Sequence, residues 1–179
     1  MRSYVLEREQ LVGRPLDEVF AFFAEARNLE RLTPPWLRFE VLTPGPIEMA
    51  PGALIDYRLR LRGVPLRWTS RIESWEADRA FVDRQLRGPY RLWHHRHDFT
   101  AHPAGTIVRD DVRYALPFGP LGRLAHALIV RRDLQRIFDH RREAVKNALE
   151  PSAGLEPATP CLPSCPGAGT GGRSRSRLR

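Results

Sequence analysis

The chain has 179 residues, 42% of them hydrophobic, a length for one domain with a tail and enough apolar material for a sizeable core. Its formal charge of +8 admits anionic partners, but 28 of its 29 basic residues are arginine, so the excess reads as coding bias as much as a selected surface. No apolar run approaches the ~20 residues of a membrane span, and charges stand where a signal peptide needs an apolar centre, so a cytoplasmic protein without stable membrane insertion is expected.

Residues 4–12 read as a first strand, although Arg8 and Gln10 fall in phase with Tyr4, Leu6 and Val12. Arg14-Pro15-Leu16-Asp17-Glu18 then has the chemistry of a helix start, with proline in the first turn and two acids at the positive end of the dipole. Val19, Phe20, Phe22 and Phe23 make that helix apolar enough to require packing against a sheet. A second short helix is expected over residues 28–32, stopped by Thr33-Pro34-Pro35 because proline disfavours helical geometry in the residue before it.

From Trp36 the period changes to two. Residues 39–42 form a short strand, followed by a loop rich in proline and glycine at 44–52. Ile55, Tyr57, Leu59 and Leu61 alternate with Asp56, Arg58, Arg60 and Arg62, giving a strand with one apolar and one charged face. The spacing places a turn at Gly63-Val64-Pro65 and then a long strand carrying Leu66, Trp68, Ser70 and Ile72 on its apolar side. A shorter strand over 81–86 ends at Gly88-Pro89, and residues 90–101 and 106–116 make a last hairpin around Pro103-Ala104-Gly105.

Residues 119–149 open Gly-Pro-Leu-Gly and then run without a helix breaker, with Leu121, Leu124, Leu128, Leu134, Phe138, Val145 and Leu149 forming one stripe. The expected architecture is α+β: a curved antiparallel sheet of about seven strands closed on one long carboxyl-terminal helix, with two short helices after the first strand. One domain is expected over 1–150. The proline, glycine and arginine of 151–179 cannot build a core and predict disorder; Cys161 and Cys165 there lack the further ligands of a zinc site.

Trp93-His94-His95-Arg96-His97-Asp98-Phe99 is the most unusual stretch. On a strand Trp93, His95, His97 and Phe99 share one face, placed inward because it carries both aromatics. Two imidazoles so spaced offer two metal ligands, with Asp83 and Asp110 as available thirds; against this stands a pair of hydrogen-bonded structural histidines, and no metal or other cofactor is expected. The same histidines with Asp110, and Tyr114 as hydroxyl donor, have the composition of an acid–base set. Asp111 beside Asp110 leaves the register open, and an ion pair between Asp110 and an arginine is the competing role. Tyr57, Leu59, Trp68, Ile72, Trp93, Val112, Tyr114, Leu128, Leu134 and Phe138, with His95 and His97, are the expected wall of a ligand cavity. Arg58, Arg60, Arg62, Arg67 and Arg71, with Arg131, Arg132, Arg136, Arg141 and Arg142 on the helix, form an outward basic face that admits rRNA or an acidic protein, though neither is favoured over a solvated surface.

Trp36-Leu37-Arg38-Phe39, Arg87-Gly88-Pro89-Tyr90, the Trp93-to-Phe99 stretch, Gly105-Thr106 and Tyr114-Ala115-Leu116-Pro117-Phe118-Gly119-Pro120, in that order, resemble the SRPBCC or START-like superfamily over roughly residues 3–148. The likeness is greatest to the polyketide cyclase/dehydrase-type branch, including stand-alone domains similar to those fused to nucleotide-sugar-epimerase-like proteins. The resemblance implies a helix-grip fold with a deep apolar cavity for a lipid, quinone or polyketide-like molecule, held by a carrier or sensor. It equally covers cyclases and dehydratases, and members that act through a surface; no catalytic motif is shared across the superfamily, so the reaction does not follow from the fold.

Overall fold

The computed structural model describes residues 2–150; the expected tail, with Cys161 and Cys165, lies outside the described residues. Tyr4–Val12 forms β1, followed by helix α1 (Leu16–Ala24) and helix α2 (Asn28–Leu32). In α1 the buried face is Val19, Phe20 and Phe23, with Asp17 and Glu18 in the first turn. A 3-10 turn at Pro35–Leu37 leads to a two-residue strand β2 (Glu40–Val41). Then come β3 (Leu54–Leu61), β4 (Val64–Glu76), β5 (Ala80–Arg87), β6 (Leu92–His102) and β7 (Gly105–Ala115).

These strands make one antiparallel sheet in the order β1-β7-β6-β5-β4-β3-β2. The register of β4 on β5 shifts between Thr69 and Ser70 and again between Ile72 and Ser74. Such irregularities bend a strand and increase its twist, which curls the sheet toward its concave face. Arg8 and Gln10, on the apolar phase of β1, are only half-buried, and Arg8 reaches Asp139 of the carboxyl-terminal helix at 3.3 Å.

The turn after β3 sits one residue earlier than the sequence spacing predicts. Arg62 (φ 52°) and Gly63 (φ 85°) are both left-handed and make a two-residue hairpin, so Val64 pairs with Leu61 and Pro65 with Arg60 inside β4. Proline is tolerated there because β5 pairs with β4 only from Thr69 onward, leaving one side of Pro65 without a sheet partner.

The carboxyl-terminal helix runs from Gly119 to Leu149 in three joined pieces: α3 (Gly119–Ala125), a π-helical turn (His126–Val130) and α4 (Arg131–Leu149). Its apolar stripe is buried at Leu134, Phe138 and Val145, but Leu121 is 72% exposed, Leu124 57% and Leu128 60%. The π turn lengthens the helical repeat, so residues before it lose phase with those after it. Buried apolar residues gather in three clusters: around Phe20, Phe81 and Phe99; around Trp93, Tyr114 and Phe138; and around Ile55, Tyr57 and Ile72. Trp75 packs against the first and third clusters and Trp68 against the second and third.

Candidate functional site

The concave side of the sheet and α4 enclose a cavity of about 170 Å³. Tyr57 and Leu59 of β3, Trp68 of β4 and Trp93 of β6 wall one side, while Leu134 and Phe138 of α4 close the other. Trp68 and Trp93 meet edge to face at 5.2 Å, a favourable arrangement of ring quadrupoles. His95 and His97 lie at the inner end, as the alternation of β6 requires. The apolar walls are therefore supplied by period-two phase on the strands and by four-residue spacing on the helix.

The other expected wall residues lie elsewhere. Ile72 is buried beneath the cavity beside Ile55 and Tyr57, and Val112 is fully enclosed in the packing behind Trp93. The Tyr114 hydroxyl points away, hydrogen-bonded with His126 Nε2 at 2.9 Å, and its ring borders a separate open groove of about 560 Å³ whose lining includes Arg2, Arg8, Arg123 and Arg131. Leu128 is on the surface. Tyr114 is thus separated from the acid–base set in which the sequence placed it.

The histidines form a closed square with two carboxylates. His95 Nε2 donates to Asp110 Oδ1 at 3.0 Å, and His97 Nδ1 is 2.7 Å from the same oxygen, at an angle too bent for a full hydrogen bond. On the other side of both rings, Asp83 Oδ2 lies 3.4 Å from His95 Nδ1 and 3.3 Å from His97 Nε2. The two imidazoles are 5% and 3% exposed, with centroids 3.8 Å apart. Asp83 and both histidines face the cavity; Asp110 sits behind them on β7. Ser70 Oγ donates to the second oxygen of Asp83 at 3.3 Å and accepts from Trp68 Nε1 at 3.0 Å, which fixes the Asp83 carboxylate.

The register uncertainty at Asp110 resolves inward: it is buried, while Asp111 lies near Arg113 on the outer face. Its close partners are histidines, in place of the arginine ion pair that the sequence suggested. Arg141 nevertheless acts on it. Expected on the outward basic face, Arg141 turns into the cavity, with its Nε buried and unpartnered and its guanidinium 5.4 Å from the Phe23 ring. The signal was present in the sequence, since Leu134, Phe138, Arg141 and Val145 step by four, three and four along one stripe.

Electrostatics sort the four groups. Burial alone would raise the Asp110 carboxyl, but Arg141, the hydrogen bond from His95 and the close His97 ring hold it well below the usual carboxylate range. Asp83 is likewise lowered against burial, chiefly by His97 and His95. Burial pushes His95 down, helped by neighbouring His97, whereas His97 is raised because Asp110 and Asp83 outweigh its burial. His97 is thus the more readily protonated of the two imidazoles, and both carboxyls favour the ionised form.

On the outer face Arg58 pairs with Glu40 and Arg62 with Asp133. No helix among the described residues is long and apolar enough to cross a membrane.

Residues 12–141 match the model of the polyketide cyclase / dehydrase and lipid transport family. Among solved structures the fold is similar to that of TTHA0849 from Thermus thermophilus (TM-score 0.62, 18% identity, covering 82% of this chain and 97% of that one). It is similar also to the Zhui aromatase/cyclase from Streptomyces sp. R1128 (TM-score 0.63, 16% identity, 86% and 100%). A third similar structure is the nucleoside-diphosphate sugar epimerase from Corynebacterium glutamicum (TM-score 0.59, 20% identity), where the match covers 80% of this chain but 29% of that longer one. At these identities the likeness carries the fold alone. A search of curated proteins returned no match.

Proposed function

We propose, since this chain belongs to the polyketide cyclase / dehydrase and lipid transport family, that it binds a hydrophobic small molecule of lipid, quinone or polyketide-like character between the sheet and α4, as a carrier or sensor. The observation that carries this reading is the cavity itself, apolar along its walls and polar only at its inner end, where Asp83, His95, His97 and Arg141 converge. That polarity fits a ligand with an apolar body and one oxygen-bearing end that engages the inner cluster. The volume of about 170 Å³ is below the roughly 300–1,000 Å³ of pockets for drug-sized ligands, so a larger guest requires the walls to part. Delipidated protein titrated with the uncharged probe N-phenyl-1-naphthylamine should show saturable uptake near one per chain, and Trp68→Ala or Phe138→Ala should change its affinity. Absence of saturable uptake overturns the reading.

The buried histidine–carboxylate square favours a second reading, a cyclase or dehydratase in the same cavity. His95, facing the cavity, is placed to take a proton from carbon next to a ligand carbonyl, and His97, the more readily protonated of the two, to return one to oxygen. Given a polyketide or ketone that the protein turns over, unchanged turnover in both His95→Ala and His97→Ala removes this reading.

A further inference from the structure

We propose that Asp83, His95 and His97 bind a divalent transition-metal ion, with Asp110 holding the two imidazoles from behind and one coordination position open to the cavity. The ligating atoms are Asp83 Oδ2, His95 Nδ1 and His97 Nε2, and the three residues can bring such atoms within 4.8 Å of one another.

Asp110 stands behind both imidazoles. One of its oxygens, Oδ1, lies 3.0 Å from His95 Nε2 and 2.7 Å from His97 Nδ1. A carboxylate oxygen only accepts, so it holds the His95 ring proton on Nε2 by a hydrogen bond and favours a proton on His97 Nδ1 by its charge, that contact being too bent to bond. Without metal the His97 Nε2 proton faces Asp83 Oδ2 at 3.3 Å; a divalent ion takes that proton's place, with the remaining ring nitrogens and Asp83 Oδ2 as its three donors. A carboxylate behind a ligating histidine is the arrangement that fixes tautomer and ring orientation at metal centres.

The distances suit that cation. Tetrahedral bonds of about 2.0–2.1 Å place ligand atoms roughly 3.3–3.4 Å apart, and the two edges to Asp83 measure 3.4 and 3.3 Å. Two imidazoles and one carboxylate favour zinc, cobalt or iron over magnesium or calcium. The carboxylate is itself oriented, because Ser70 occupies its other oxygen and Trp68 occupies Ser70. Arg141 opposes a cation by its charge. Arg141, two carboxylates and one divalent ion together carry +1, which an anionic oxygen at the open position neutralises, such as hydroxide or the enolate of a bound carbonyl compound. Metal binding itself requires no organic ligand and stands independently of the apolar-ligand reading.

The test uses untagged full-length protein carrying Cys161→Ser and Cys165→Ser, since those thiols offer competing zinc ligands. After dialysis against chelator, titration with zinc(II) followed by calorimetry should give one equivalent per chain, and cobalt(II) should give visible ligand-field bands of four- or five-coordinate intensity. Asp83→Asn and His97→Ala should abolish one-equivalent binding. Asp110→Asn should keep the stoichiometry and weaken affinity by about 10–100-fold, while His102→Ala, exposed on the far end of β6, should change nothing. Circular dichroism establishes which variants fold. For any that do not, nitrogen-15 shifts of wild-type His95 Nδ1 and His97 Nε2 should move on zinc addition while the distal ring nitrogens stay protonated. No equivalent of metal bound by the folded parent protein, binding that survives His97→Ala, or ring shifts that ignore zinc each overturn the proposal.

Discussion

Arg62 lays its guanidinium along the carboxylate of Asp133, Nε to Oδ2 at 2.8 Å and Nη2 to Oδ1 at 2.9 Å. This fork ties the tip of the β3–β4 hairpin to the first turn of α4, one residue before Leu134 enters the cavity wall. Removing it should loosen the entrance more than the fold. Arg62→Ala should speed both uptake and release of N-phenyl-1-naphthylamine by about 3–10-fold in stopped-flow, leaving equilibrium affinity nearly unchanged. The same rates should rise with salt in the parent protein, because the Arg62 end of the pair is exposed. Unchanged rates in the variant would show that the hairpin does not gate entry.

The carboxyl-terminal helix is unequal along its length, and two truncations measure the inequality. Phe138→Ala removes a buried ring and should lower the unfolding free energy by about 3–5 kcal/mol. Leu128→Ala, at a surface position, should shift it by less than ~0.5 kcal/mol. Denaturant unfolding of both proteins decides the matter, and equal costs would contradict the burial of one and exposure of the other.

Gly105 opens β7 at φ 134°, and a Cβ there would run into the backbone carbonyl of Val12 at the end of β1. Both the dihedral and the contact exclude a side chain. Gly105→Ala should therefore destabilise by roughly 1–3 kcal/mol or more, read as a drop in Tm, whereas alanine at Gly45, where nothing stands within 4 Å, meets strain from its positive φ alone and should cost less.

His126 supplies a pH dependence. Its ring stacks on Tyr4 at 3.5 Å, is hydrogen-bonded with the Tyr114 hydroxyl, and has a pKa lowered from 6.5 first by burial and then by Arg131 and Arg2. Between that lowered value and 6.5 the unfolded chain binds more protons than the folded one, so stability rises with pH across this window. The contribution is full above the unfolded pKa and is lost as pH falls through it toward the folded value. Proton NMR should place the His126 midpoint below 6.5, and His126→Gln should flatten the slope of Tm against pH in that range. A midpoint at or above 6.5 refutes this account.

What could be read in the sequence was whatever depended on local period. The ends of β1, the short helix Asn28–Leu32 and the inward phase of Trp93, His95, His97 and Phe99 all follow from alternation or from proline. Period fails where geometry changes without changing composition. The apolar repeat of residues 119–149 continues through a π turn that rotates Leu121, Leu124 and Leu128 to the surface, and Arg62 adopts a left-handed conformation that its type seldom shows. The square of Asp83, His95, His97 and Asp110 draws on three strands, and only strand order decides that Asp110 stands behind the rings and Tyr114 beyond reach of them. Arg141 was legible by spacing, but its charge argued for the outside.

The register of β1 on β7 sets Tyr4 opposite Tyr114, and among the described residues β7 is the only strand paired with β1. During synthesis at about 5–20 residues per second, the first strand leaves the ribosome some 5–20 s before its mate. Through that interval its amide edge and the side chains of Leu6 and Val12 have no lawful neighbour, and any foreign strand is a competitor. Closure of the sheet is thus a late, long-range event in the life of the chain, and extensions or truncations at the amino terminus should act first on yield and refolding rate.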